Sequence, residues 1–223
     1  MDVSVILDNL PFLLEGFKTT LELTVLTLCG GLFFGAPLAF ARSAQAALPR
    51  YFSLAIIETI RGTPILMLIF WIYFLLPRLV GVAVPAYAAG LIALIVFNTA
   101  YSAEIVRAGI QSVELSNIDA ARAGGLSWFQ TARYIIMPQV LSNMTPALLS
   151  QGVMVYKTTS LIYVIGVVDF FRAATIIDNR EFKSVEIFTF VALVYFIPCA
   201  VISRISRKAE MKRAYGFQVG RGV

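Results

Sequence analysis

The most polar cluster inside an apolar stretch of this sequence is Lys157-Thr158-Thr159-Ser160. A lysine ammonium flanked by three hydroxyls could bind a carboxylate. The alternative is structural, a helix break whose freed backbone groups are satisfied by neighbouring helices. Charged groups are costly inside a membrane. Under either interpretation, Lys157 therefore requires a partner or a water-lined path.

Two glutamate–arginine pairs have a spacing of three residues, Glu58 with Arg61 and Glu104 with Arg107. Residues three apart share one helix face, so each pair can neutralise its own charge. We expect structural pairing for Glu104 and Arg107. Arg61 could instead contribute to a path for a charged solute.

Gly62-Thr63-Pro64 interrupts an apolar run and favours a break in the helix. Discontinuous helices free backbone groups near substrate in transporters, so Arg61 and Thr63 are candidates for a solute path; a plain kink is the alternative. Asn98 is a further candidate, although such residues more often hydrogen-bond a neighbouring helix.

The composition requires a membrane environment for these residues. Of 223 residues, 59% are hydrophobic and 14% are charged, and the mean hydropathy is +0.81. These values exclude a soluble enzyme and predict an integral membrane protein. The sequence contains no histidine and no G-x-x-x-x-G-K-[ST] loop, so it has no phosphate-cradling loop of its own.

The apolar runs predict an all-α protein with five membrane spans in a single domain, 1–223. The spans cover about 20–40, 52–76, 86–103, 146–168 and 185–203. Gly30, Gly31 and Gly35 should allow a neighbouring helix to approach the first span closely.

Basic residues flank these spans unevenly, which predicts the orientation. One side has eleven: Arg42, Arg50, Arg107, Arg122, Arg133, Arg204, Arg207, Lys208, Lys212, Arg213 and Arg221. The other side has five: Lys18, Arg78, Arg172, Arg180 and Lys183. The N-terminus is therefore expected outside and the C-terminus in the cytoplasm. The basic tail is expected to face anionic membrane lipid, and we expect no nucleic acid partner.

The polar stretch 104–138 is then cytoplasmic, and it has two helix-start signatures. Ser116-x-x-Asp119 and Ser127-x-x-Gln130 both fit capping boxes, and Gly124-Gly125 lies between them. We predict a helix, a glycine turn and a second helix that Pro138 ends or kinks. A hairpin lying on the membrane is the alternative.

One motif in this stretch resembles the EAA loop of ABC importer permeases. That family pattern is Glu-Ala-Ala, three residues, Gly, nine residues, Ile-x-Leu-Pro. Its counterparts here are Asp119, Ala120, Ala121, Gly125, Ile135, Met137 and Pro138. Asp119 for Glu and Met137 for Leu are the two departures. The resemblance implies that the loop, about 111–138, forms the coupling helix that docks on a cytoplasmic ATPase.

Further segments resemble the polar amino acid branch of that family. They are Arg61-Gly62-Thr63-Pro64, the run from Tyr101 to Ile110, and Lys157-Thr158-Thr159-Ser160-Leu161, in which Thr158 replaces a usual Asp. Asp169-Phe170-Phe171-Arg172 is most similar to glutamate/aspartate permeases. The resemblance covers about 16–204 and implies a type-1 ABC importer permease fold in a bacterial inner membrane.

The resemblance also implies partners. They are a second permease chain, identical or sister, two ATPase subunits and an extracytoplasmic amino acid binding protein. No cofactor is expected on this chain, because ATP and Mg would bind the ATPase. The alternative function is a secondary amino acid transporter or channel driven by an ion gradient, with Glu58 or Glu104 coupling protons. Pairing of both carboxylates with arginines disfavours it.

Overall fold

The computed structural model describes residues 4–219, and the side chains of residues 4–208. Within those residues the chain forms helices and no strand, which confirms the all-α prediction. The α-helices are α1 Ser4–Asp8, α2 Leu10–Arg42, α3 Ala47–Gly62, α4 Ile65–Phe70, α5 Leu76–Val80, α6 Ala86–Gln111, α7 Leu115–Ala123, α8 Trp128–Thr131, α9 Met137–Thr158, α10 Phe170–Glu181 and α11 Ser184–Val219. Two π turns, Trp71–Leu75 and Ala132–Ile136, join α4 to α5 and α8 to α9, and a 3-10 helix, Thr159–Ile165, follows α9.

Three helical segments are individually long and apolar enough to cross a membrane: Leu10–Arg42, Ala86–Gln111 and Ser184–Lys208. Two bent pairs bring the number to as many as five, Ala47–Gly62 with Ile65–Val80 and Trp128–Ile165 with Phe170–Glu181. The predicted span centres agree with these segments, but the helices extend beyond the predicted ends. The helix of the third predicted span runs to Gln111 rather than to residue 103, so Glu104 and Arg107 lie within α6 rather than in the polar stretch after it.

Close packing of α2 against α6 forms the centre of the molecule. A side chain at Gly31 would clash with the amide of Asn98, and a Cβ at Gly35 would lie 2.8 Å from the Thr99 carbonyl oxygen. Gly30 faces Ile95 of the same helix. The predicted role of the three glycines in close helix approach is therefore confirmed.

The predicted break at Gly62-Thr63-Pro64 is a sharp bend rather than a kink. Thr63 and Pro64 have extended backbone angles, with ψ of 130° and 132°, and the helices on either side differ in direction by 101°. A residue that precedes proline is sterically disfavoured in the α region, which explains why α3 ends there.

A different response to proline occurs at Pro77 and Pro138, each of which lies within the first two residues after a π turn. Proline has no N–H to donate and its ring crowds the carbonyl four residues earlier. The preceding turn widens by one residue and the helix continues. The expectation that Pro138 could end the helix is therefore wrong, since helical backbone extends from Trp128 to Ile165.

Candidate functional site: the coupling segment and the polar residues of the spans

The segment between α6 and α9, residues 112–136, is called the coupling segment here after its resemblance to the EAA loop, and it contains a complete glycine turn. Leu126 N donates to the Ala121 carbonyl over 3.1 Å, and Gly125 N donates to Arg122 over 3.0 Å. This is the Schellman arrangement, in which the residue after the helix end adopts a left-handed conformation. Gly125 has φ of +80°. The predicted helix, glycine turn and helix are confirmed.

Only one of the two predicted capping boxes forms in this segment. The Ser127 hydroxyl accepts from Gln130 N over 3.3 Å, and Ser127 N donates to the Gln130 side-chain oxygen over 2.8 Å, as predicted. The prediction for Ser116 is wrong, because α7 begins earlier and its N-cap is Glu114. The Ser116 hydroxyl donates to the Glu114 carboxylate over 3.4 Å instead.

Apolar contacts and polar bonds attach the coupling segment to the spans. Ile118 and Ile136 pack against the buried cluster that includes Val113 and Val140. The Asn143 amide on α9 donates to the Ser112 hydroxyl at the end of α6 over 2.7 Å. The segment is thus held against the ends of α6 and α9.

The outer face of the segment is accessible and partly apolar. Trp128 and Phe129 are 72% and 66% exposed. The EAA-motif residues divide between the two faces: Ala121 is buried, Ile135 is half-buried, and Asp119, Ala120, Gly125, Met137 and Pro138 are exposed. An exposed aromatic pair beside the motif is a surface on which another protein can dock.

The two predicted glutamate–arginine pairs form, and Arg42 connects them. Glu104 lies 2.8 Å from both Arg107 and Arg42, and Glu58 lies 3.7 Å from Arg61 and 3.5 Å from Arg42. The network ties α2, α3 and α6 together. Sequence reasoning treated Arg42 only as an orientation signal, and nothing in its spacing along the chain indicates these contacts.

Arg61 also lies over the ring of Tyr101, with the guanidinium carbon 5.6 Å from the ring centroid. This distance is within the range of a cation–π interaction. The Thr63 hydroxyl donates to the Thr59 carbonyl over 2.8 Å. Both candidate path residues therefore already have partners within the protein.

Asn98 lies at the centre of a buried polar bridge between three helices. Its amide nitrogen donates to the Thr27 carbonyl on α2 over 3.0 Å, and its oxygen accepts from the Gln151 amide on α9 over 2.5 Å. Asn98 and Gln151 are 1% and 7% exposed. Sequence reasoning missed Gln151, although an amide within an apolar run was a usable signal.

Each hydroxyl of the Lys157 cluster donates back to the chain. Thr158 donates to Met154 over 2.7 Å, Thr159 to Tyr156 over 2.8 Å and Ser160 to the Lys157 carbonyl over 2.7 Å. The cluster coincides with the change from α-helix to 3-10 helix at Thr159. These bonds satisfy backbone carbonyls at the change in helix type.

The Lys157 side chain is exposed and has no ion-pair partner among the described residues. With Ser160, Phe188 and Tyr195 it lines a hollow of about 380 Å³ next to α10 and α11. Arg61 contacts α3 and α6 instead. Lys157 and Arg61, the two basic residues within the predicted spans, therefore contact different helices.

The family of the chain follows from comparison with known proteins. The family model described as "Binding-protein-dependent transport system inner membrane component" matches residues 31–213. The chain belongs to this family. It is a multi-pass inner-membrane transport component and not an enzyme, and ATP hydrolysis belongs to a separate subunit. Membership decides against the alternative of a gradient-driven secondary transporter or channel.

Two curated relatives of the chain are similar over nearly its whole length. The glutamate/aspartate import permease protein GltK of Escherichia coli O6:H1 is 36% identical over 203 residues, which are 88% of this chain and 91% of the relative. The glutamine transport system permease protein GlnP of Escherichia coli K12 is 37% identical over 212 residues, which are 95% of this chain and 97% of the relative.

Solved structures confirm the type-1 ABC importer permease fold. One chain of an amino acid ABC transporter crystallised with histidines has a TM-score of 0.84 and 32% identity, covering 95% of this chain and 99% of the other. A chain of the inward-facing MetNI methionine ABC transporter has a TM-score of 0.69 and covers 89% of this chain and 96% of the other. At 19% identity it supports the fold alone.

Proposed function

We propose that this protein is the permease subunit of an ATP-driven importer of polar amino acids, with glutamate and aspartate as its substrates. The observation that carries the proposal is the coupling segment, a capped helix–turn–helix held against α6 and α9 with Trp128 and Phe129 exposed. The segment has the form needed to transmit movement from a cytoplasmic subunit to two spans. Relatives that import glutamate/aspartate or glutamine support the substrate class.

The working unit is proposed to be two permease chains, identical or sister, with two ATPase subunits and an extracytoplasmic binding protein. ATP and Mg bind the ATPase subunits, and no cofactor is assigned to this chain. The exposed EAA-motif residues Asp119, Ala120, Gly125, Met137 and Pro138 form the docking surface, and Ala121 and Ile135 hold it against the spans. The N-terminus lies outside and the C-terminus in the cytoplasm, with the basic excess of eleven to five as support.

The proposal of acidic substrates depends on a positive charge within the spans. A carboxylate entering a low-dielectric path needs a cation or aligned donors. Lys157 meets this need better than Arg61, which already has Glu58 at 3.7 Å and Tyr101 beneath it. Because the hydroxyls of the cluster donate to the backbone, their oxygens can accept from the Lys157 ammonium but offer few donors to a substrate. Lys157 is the main proposed contact. Arg61, Thr63, Asn98 and the cluster hydroxyls have partners within the protein, and they join the proposed path only when those partners are exchanged.

The test uses a purified complex of this permease with its co-expressed ATPase and binding protein. ATPase activity is measured with the binding protein loaded with glutamate, aspartate, glutamine or arginine. Stimulation by glutamate and aspartate above glutamine supports the full proposal. Stimulation by glutamine alone would retain the importer and refute the acidic substrate. Failure of this chain to assemble with any ATPase would contradict the importer itself.

A further inference from the structure

A polar pocket of about 340 Å³ lies where the turn after α2 meets α3 and the end of α6. Its walls include Arg42, Ser43, Arg50, Arg107 and Gln111. The volume is at the lower end of the range for small-molecule sites, about 300–1,000 Å³. The pocket contains no residue of the EAA motif and none of the Lys157 cluster, although Gln111 lies directly before the segment that carries the motif.

The charge of this pocket favours an anion. Three arginines line it, and Glu104 is placed between two of them, 2.8 Å from Arg42 and 2.8 Å from Arg107. Gln111 further orients Arg107 by accepting a hydrogen bond over 2.7 Å. Glu104 thus fixes two guanidinium groups, and Glu58 also lies 3.5 Å from Arg42, so the positive charge that remains in the pocket comes from Arg50. Arg50 has no ion partner among the described residues, and its five donors are free for a ligand.

The apolar residues beside Arg50 favour a phospholipid headgroup over free phosphate as the anion. Leu48, Tyr51 and Phe52 on the first turns of α3 are 83%, 63% and 66% exposed. Aromatic and aliphatic side chains next to a basic residue at the end of a span are typical of the membrane interface, where acyl chains and headgroups meet. A free phosphate would use the arginines but gain nothing from these apolar side chains.

We propose that this pocket, lined by Arg42, Arg50 and Arg107, binds the phosphate headgroup of an anionic phospholipid, with the acyl chains lying over Leu48, Tyr51 and Phe52. Guanidinium groups bind phosphate oxygens in a bidentate geometry, and Arg42 and Arg107 are already held in place. The lipid fastens the α2–α3 turn to the end of α6, next to the ion network of Glu58 and Glu104. The proposal goes beyond the transport function and does not depend on the substrate.

The test uses the full complex in nanodiscs containing equal amounts of phosphatidylglycerol and phosphatidylcholine. Lipids that remain bound after delipidation are identified by native mass spectrometry for wild type, Arg50→Gln and the control Arg78→Gln. Arg78 is an exposed arginine on α5, outside the pocket. We expect wild type and the control to retain phosphatidylglycerol and Arg50→Gln to retain about fivefold less, the factor expected of one basic side chain at an anionic surface.

A thermal-shift series on the detergent-purified complex, with inorganic phosphate or short-chain phosphatidylglycerol, separates the two anion sources. The proposal is supported if short-chain phosphatidylglycerol raises the unfolding temperature of the wild type and raises that of Arg50→Gln less. Stabilisation by inorganic phosphate to the same extent would assign the pocket to a free anion and overturn the lipid. Equal lipid retention by wild type and Arg50→Gln, or an equal loss in the control, would overturn the site.

Discussion

Lys157 is the residue on which the proposed substrate class depends most. Its side chain is exposed, lines a hollow of about 380 Å³ and has no ion partner among the described residues. The sequence could predict the cluster, because four polar residues in an apolar run are conspicuous. It could not predict that the hydroxyls donate to the carbonyls of Met154, Tyr156 and Lys157, because that depends on the local change to a 3-10 helix.

Replacement of Lys157 by methionine removes the charge and keeps much of the bulk. We expect glutamate uptake by the reconstituted importer to fall, with a weaker apparent affinity, at matched expression. Lys18→Met is the matched control, because Lys18 is highly exposed and its 3.8 Å pair with Glu22 contributes little. Unchanged uptake and affinity in Lys157→Met would make the lysine structural and remove the support for acidic substrates.

Asn98 and Gln151 form the polar centre of the spans. Asn98→Ala leaves the Gln151 amide and the Thr27 carbonyl without their partner. We expect a destabilisation of about 0.5–2 kcal/mol, the range for interhelical hydrogen bonds in membranes. Thermal unfolding of the detergent-solubilised complex measures it. Asn179→Ala, at an exposed position on α10, should have almost no effect; equal shifts in both variants would refute the bridge.

At the scale of elements, the coupling segment shows what local sequence signals can determine. Ser127 with Gln130 and Gly124-Gly125 are complete within a few residues, so both the cap and the turn could be predicted. Ser116 fits a capping box equally well but lies inside α7, because the helix begins at Leu115. In the fold Ile118 of α7 packs on the buried cluster of the spans, a tertiary contact that the local sequence does not contain.

The joint between α7 and α8 depends on Gly125, whose φ of +80° disfavours a β-branched residue. Among the described residues, no atom beyond Gly125 and its two chain neighbours lies within 4 Å of an added Cβ, so the cost of Gly125→Val is strain of the backbone, about 1–3 kcal/mol. We expect substrate-stimulated ATPase activity and transport to fall while the spans still insert. Gly125→Asn, which tolerates the left-handed conformation, is the control and should retain most activity. Normal coupling in Gly125→Val would exclude the turn from the coupling joint.

Across the whole molecule, composition predicted a membrane protein and the apolar runs predicted five α-helical spans, where the structure has three candidate spans, or up to five if each bent pair is one span. Helix ends were less predictable, because the apolar runs are shorter than the helices that contain them, as in α2 and α6. The ion network of Arg42, Glu58 and Glu104 could not be predicted in full, since it forms only when α2, α3 and α6 pack together.

The proposed orientation is a further property of the whole chain. The excess of eleven basic residues over five predicts that the C-terminus lies in the cytoplasm. A reporter enzyme active only outside the cytoplasm, fused after Arg213, should therefore be inactive, whereas a fusion in the Gly81 turn should be active. The reverse pattern, or activity of both fusions, would contradict five spans with this orientation.

The central claim is that this permease is driven by ATP through a docked ATPase. Its most direct test is the uptake of labelled glutamate, with glutamine in parallel, by proteoliposomes that contain the purified complex. We predict uptake only when ATP is enclosed and loaded binding protein is present outside, with none driven by an imposed proton or sodium gradient. Uptake driven by such a gradient without ATP and without binding protein would contradict the account.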